Sequence, residues 1–150
     1  MIRLSQLIGQ RVIAESDGSQ LGSIRRLLLD PASGSIAVAQ LEVPAGGNAM
    51  LEWSAVRRIG DDAVLVAAPD VTRAPDGERE LQLISGDLEL LGKSVLTDEG
   101  NALGELADVD LNEASGRVTQ IHLADESLFV GRFVALGPDA IIVASSPPAG

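Results

Sequence analysis

Short runs of alternating apolar and polar residues fill this chain, and turn-forming residues separate them, the pattern of half-buried β-strands. Residues 3–9 read as a lead-in turn that sets Leu4, Leu7 and Ile8 against the first of two units. Arg11 to Glu15 is a strand with Val12 inward, and residues 16–18 turn the chain. Leu21 to Asp30 is a long strand in which Leu27 and Leu29 alternate with Arg26 and Leu28. The hairpin Pro31–Gly34 leads into a strand from Ile36 to Val43, and residues 44–48 form a loop. A short strand from Met50 to Trp53, a turn over 54–56, and a hairpin of 57–59 with 63–67 complete the first unit. Residues 69–80 hold two prolines, a glycine and many charges, and read as a linker.

The pattern then repeats. Asp17 to Ile36 and Asp98 to Val118 both run acid–glycine, Leu–Gly, an apolar-rich strand, Ala–Ser–Gly and a β-branched residue. Gly18 and Gly100 mark one equivalent turn, Gly34 and Gly116 another. Gly92 and Val95 match Gly9 and Val12, Leu103–Gly104 matches Leu21–Gly22, and Phe133 to Val143 matches Val56 to Val66. The loop after the third strand is shorter in the second copy, at residues 125–127. The expected organisation is a first barrel over 1–68, a linker over 69–80, a second barrel over 81–146 and a frayed tail over 147–150. At least one of Val64, Leu65 and Val66, and one of Ile141, Ile142 and Val143, is expected in each core.

Each half resembles a PRC-barrel domain, the small β-barrel of the reaction-centre H subunit and of a bacterial ribosome maturation factor. The first half carries the resemblance in Leu7, Ile8, Gly9, Val12, Asp17, Gly18, Leu21, Gly22, Gly34, Trp53, Val56, Asp62, Ala63 and Val64. In the second half it rests on Leu91, Gly92, Val95, Gly100, Leu103, Gly104, Gly116, Asp139, Ala140 and Ile141. The resemblance implies an all-β fold of two tandem SH3-like, PRC-type barrels of about six strands each. It also implies a docking module in a larger assembly, with no chemistry of its own. These motifs are turn glycines and core aliphatics, so they speak for fold and not for activity. Two barrels of about 70 residues are each near the lower limit for a self-sufficient core, and they are expected to pack together.

Charge is distributed unevenly within the net −11. Residues 1–75 carry seven basic and eight acidic side chains, residues 76–150 four and fourteen. An acidic half repels phosphate backbones, and three aromatic residues, Trp53, Phe129 and Phe133, offer few stacking platforms, so no direct nucleic-acid binding is expected. Cysteine is absent, which excludes disulfides and thiolate chemistry. No apolar run reaches the length of a signal peptide core or a membrane span, and a cytoplasmic location without membrane insertion is expected.

Candidate chemistry is sparse. Gly92–Lys93–Ser94 has the end of a phosphate-binding loop, but Asp87 stands where the first glycine belongs, and the repeat places the stretch at a strand start. Asp108, Asp110 and Asn112 have calcium-loop spacing, but Glu113 and Thr119 occupy the glycine and glutamate positions. On a strand the three share one face, read as an exposed acidic face. His122, the single histidine, has no triad or ligand spacing around it. The acid pairs at Asp61–Asp62 and Asp98–Glu99 fall in turns. No catalytic residue, cofactor or metal ligand is expected.

Partner binding is the remaining class. Arg25–Arg26 and Arg57–Arg58 give the first barrel two basic dipeptides, and in the repeat register Arg26 equals Asp108 while Leu28 equals Asp110. Opposite charge on equivalent faces suits complementary docking within one chain, between copies, or onto a basic surface of another protein. Arg25, Arg26, Leu28, Arg57, Arg58, Asp108 and Asp110 are therefore the candidate contact residues. Reversing Asp108 and Asp110 to lysine is expected to weaken association while leaving the melting temperature little changed. The function expected is a non-enzymatic adaptor or assembly module. The alternatives are a ribosome-associated factor that binds a basic ribosomal protein, and a small-molecule sensor at the barrel interface.

Overall fold

Two sheets of seven strands each make up the architecture, in a computed structural model that describes residues 2–144. In chain order, β1 (Ile2–Arg3) and the single-turn helix α1 (Leu4–Leu7) precede β2 (Arg11–Ala14), β3 (Gln20–Asp30), β4 (Ser35–Glu42) and β5 (Asn48–Glu52). A 3-10 turn at Trp53–Ala55 leads to β6 (Val56–Ile59), β7 (Ala63–Val66) and β8 (Thr72–Arg73). Helix α2 (Glu78–Ser85) then leads to β9 (Ser94–Thr97), β10 (Ala102–Leu111), β11 (Val118–Leu123), β12 (Leu128–Phe129), β13 (Phe133–Leu136) and β14 (Ala140–Val143).

The first sheet runs β6-β7-β2-β3-β4-β5-β8 and the second β12-β11-β10-β9-β14-β13, with β1 added to β10. In each half the last long strand closes in parallel against the first, β7 on β2 and β14 on β9, and the other pairs are antiparallel. The repeat in the sequence is thus a repeat of topology. Both equivalent turns place glycine at positive φ, +71° and +85° at Gly18 and Gly100, +69° and +72° at Gly34 and Gly116. Val64, Val66, Ile141 and Val143 are fully buried, as the strand pattern predicts.

Two sequence expectations are corrected. The lead-in was expected against the first barrel, yet β1 pairs with β10 of the second half, Ile2 opposite Leu111 and Arg3 opposite Asp110, and α1 packs on the same strand. Helix α2, conversely, packs on β3 of the first half. The halves have exchanged the segments that precede them. Leu4 and Leu7 from one end and Leu83 from the other join a continuous core that draws on both sheets.

The stretch 69–80 is ordered where a linker was expected. Thr72 and Arg73 extend the first sheet by pairing with Leu51 and Met50. Arg73 then donates to Glu80 at 2.7 and 2.8 Å and to Glu52 at 2.8 Å, and the Asp76 N–H donates to Glu80. Opposite charges that look like a solvated run in sequence form a strap over the sheet edge. The expected tail at 147–150 lies outside the described residues.

The strap has a pH signature. Hydrogen bonds from Arg73 hold the Glu80 carboxyl below its ordinary value of 4.5, against desolvation that raises it. A depressed carboxylate contributes stability above its unfolded value and loses it as pH falls through the folded one. Glu80→Gln is therefore expected to cost about 1–2 kcal/mol at neutral pH, allowing for solvent at the Arg73 end. It should also make the loss of stability below pH 4.5 shallower, which melts recorded across that range will measure.

Candidate functional site

The charged positions singled out by the repeat lie at the junction of the two halves, each bonded to a segment that comes from the other half. Arg26 on β3 donates through Nε to Glu89 at 2.6 Å and through Nη1 to the Ile84 carbonyl near the end of α2 at 3.3 Å. Its equivalent, Asp108 on β10, accepts from the Ser5 N–H of α1 at 3.1 Å and from the Ser5 hydroxyl, and also from the Val109 N–H at 2.9 Å. Each half thus uses the same strand position to hold the segment the other half sends across. A cation meets a carbonyl at a helix end in one case, and a carboxylate meets a backbone N–H at a helix start in the other, so the opposite charges follow from opposite helix ends.

Asp108 is accordingly buried, and the expected exposed acidic face is corrected. Two register shifts in the β10–β11 ladder, between Leu106 and Asp108 and between Asp110 and Leu111, break strict alternation, and α1 covers the outer face. Asp110 lies 3.7 Å from Arg3 and 3.1 Å from His122 Nε2. The histidine contact lacks the alignment of a hydrogen bond and becomes an ion pair only when the ring is protonated. Leu28, expected as an exposed apolar contact, belongs to the core. Arg25 and Arg57 form surface ion pairs with Glu42 and Glu15. Arg57 and Arg58 line a shallow groove whose other wall is Glu113 and Ala114 of the second half. Lys93 donates to the carbonyls of Asp87, Gly137 and Pro138, a strut between loops where a phosphate loop would need it free.

The junction has a second, near-symmetric contact. The Ile36 N–H donates to the Gly116 carbonyl at 2.8 Å, and the equivalent Val118 N–H donates to the Gly34 carbonyl at 2.9 Å. Buried Trp53 lies against Gly116, where an added Cβ would stand 2.6 Å from the indole ring. Phe133 of the second half approaches Gly34 in turn.

Four large apolar side chains stay exposed among the described residues: Leu81 on α2, and Leu128, Val130 and Val134 on the second half. Leu128 is 55% and Val130 68% exposed, beside a groove of about 500 Å³ lined by Pro31, Gly34, Arg117, Val118, Arg132 and Phe133. By register, Leu128 and Phe129 correspond to Met50 and Leu51, since His122 and Ile121 face them as Gln40 and Ala39 face the first pair. Met50 and Leu51 are fully buried, and β8 covers their edge. Neither Leu128 nor Val130 was among the sequence candidates. The available signal was apolar residues at 128–130 in a copy that ends its loop early.

Among the described residues no helix is long and apolar enough to cross a membrane, and no cluster of three or more acidic or histidine side chains could hold a metal.

Two β units of one plan, fused across a shared junction, define a tandem-barrel chain. A family model for the PRC-barrel domain matches residues 1–73 and again 86–146, and the chain belongs to the PRC-barrel family, with two tandem copies. Helix α2 falls in the gap between the matches. A comparison with curated protein sequences finds no match.

Proposed function

We propose that this chain is a non-enzymatic interaction module that docks another protein through the second barrel, on the surface around Leu128 to Phe133. One observation carries the reading: Leu128 stays more than half exposed where its equivalent in the first barrel, Met50, is fully buried, and Val130 beside it is more exposed still. Adjacent apolar and cationic side chains suit a partner with apolar anchors and an acidic rim, where charge orients the contact and apolar burial supplies affinity. Affinity capture from the source cell with Val130→Lys as the paired bait tests it. Partners held by the wild-type chain are expected to be lost with the variant, and an unchanged set of partners would sink the reading.

A second reading rests on the groove itself. Its volume of about 500 Å³ suits a small ligand, and Arg117 and Arg132 suit an anionic one sensed where the halves meet. A melting shift with small anions that disappears in Arg117→Gln would favour it.

A further inference from the structure

We infer that the groove beside Gly34 binds a small aryl carboxylate, its ring taking the place that an indole fills on the other side of the junction and its carboxylate meeting Arg117 and Arg132. The inference rests on the reading of this groove as an anion site and names the class of anion.

The junction is near-symmetric in its backbone and asymmetric in its filling. On one side the Ile36 N–H donates to the Gly116 carbonyl at 2.8 Å, and Trp53 closes over that glycine so tightly that an added Cβ would stand 2.6 Å from the ring. On the other side the Val118 N–H donates to the Gly34 carbonyl at 2.9 Å, but an added Cβ at Gly34 would meet only Phe133, at 4.0 Å.

Strand register shows what the second side lacks. Met50 and Leu51 correspond to Leu128 and Phe129, and Val56 corresponds to Phe133, since Val66 and Val143 face the last two. Between these fixed points the first half has residues 52–55, Glu, Trp, Ser and Ala. The second half has Val130, Gly131 and Arg132, one residue fewer and no aromatic. Gly131 lies under the Phe129 ring, where an added Cβ would stand 2.6 Å from it, so no side chain enters the groove from that position. Phe133 supplies one buried ring where the first half has Val56, and a groove of about 500 Å³ remains. The counterpart of the Trp53 site is thus partly empty.

The walls select the ligand. Val118, Phe133 and Pro31 give apolar surface, and the volume lies in the range of small-molecule sites. Among the described residues the ion pairs engage Arg3, Arg25, Arg26, Arg57 and Arg73, and neither Arg117 nor Arg132. A guanidinium offers a fork to a carboxylate and a flat face to an aromatic ring. A bare carboxylate would leave the apolar walls wet, and a bare hydrocarbon would leave both cations unmatched. A ring that carries a carboxylate satisfies both.

Calorimetric titration of the full chain at about 0.15 M salt tests the inference, with indole-3-acetate, phenylacetate, cyclohexylacetate and indole as probes. Indole-3-acetate is expected to bind with a dissociation constant of about 1 mM or lower. Cyclohexylacetate matches phenylacetate in charge and size without the aromatic face, and should bind about fivefold more weakly than it or worse. Indole, without the carboxylate, should lose about tenfold or more against indole-3-acetate, as should indole-3-acetate with Arg117→Gln or Arg132→Gln. Both arginines are exposed, so neither variant should move the melting temperature of the free chain. The amide resonances of Gly34, Val118 and Gly131 should shift on binding, and that of Trp53 should not. Cyclohexylacetate binding as tightly as phenylacetate, still weakened by Arg117→Gln, overturns the aryl inference and leaves the anion reading standing. No binding by any of the three carboxylates overturns both. Binding indifferent to both arginine variants, or resonance shifts confined to another part of the chain, also overturns the inference.

Discussion

Trp53→Ala is expected to destabilise the whole chain by about 3–5 kcal/mol, the cost of emptying a large buried aromatic site. At this chain length that corresponds to a fall in melting temperature of roughly 6–20 °C. The indole fills the space against Gly116, so its loss opens the junction between the halves as well as a local core. The melt should remain a single transition shifted as a whole, since the core is continuous across both sheets. Trp53→Phe should cost distinctly less, because it keeps an aromatic ring there and removes an indole N–H that has no hydrogen-bond partner. Gly116→Ala should approach the alanine variant from the other side. It combines a positive φ of +72° with a Cβ that the indole leaves no room for. Circular dichroism melts of the three variants would measure this, and a Trp53→Ala melt that matches wild type would refute the packing argument.

Asp108→Lys is the second large effect, and it reverses the expectation from sequence alone. Lysine at this buried position loses the acceptor for Ser5 and Val109 and adds a charge that has no counter-ion in place of the carboxylate. Breaking a buried charged contact in this way costs about 3–5 kcal/mol. Asp108→Asn keeps the shape and one acceptor oxygen, and its cost should be nearer 1–2 kcal/mol. Faster amide exchange over residues 2–7 would distinguish release of the N-terminal segment from general loosening. An Asp108→Lys protein with wild-type melting and wild-type exchange in that segment would show that the carboxylate does not hold it.

Fold and site were legible to different depths. The duplicated turn glycines and the strand after Asp62 and Asp139 were readable because each is a local rule: a turn needs positive φ, and a closing strand needs alternating burial. The pairing of Arg26 with Asp108 was visible as an anomaly, equivalent positions with opposite charge. Its meaning was not, because it depends on which half receives which leading segment, and nothing within a few residues of either position encodes that. Arg73 shows the same limit. Its neighbours in sequence look like linker, while its partners Glu52 and Glu80 lie on either side in the chain and come together only through strand addition. Leu128 became informative only by comparison with Met50, a comparison of burial between copies that composition cannot make.

The exchanged leading segments also constrain the order in which the chain can be completed during synthesis. When the first 75 residues have emerged, β1 and α1 have no strand to pair with, and the flank of β3 that α2 will cover is still bare. Ile2 must wait for Leu111, more than a hundred residues later, before it is placed. A nascent first barrel is therefore an unfinished object with exposed apolar surface, of the kind that invites pairing with its neighbours on the same message. The first barrel is finished by α2, which emerges ahead of the second barrel's strands, and β10 of the second barrel then gives the first-made residues their place.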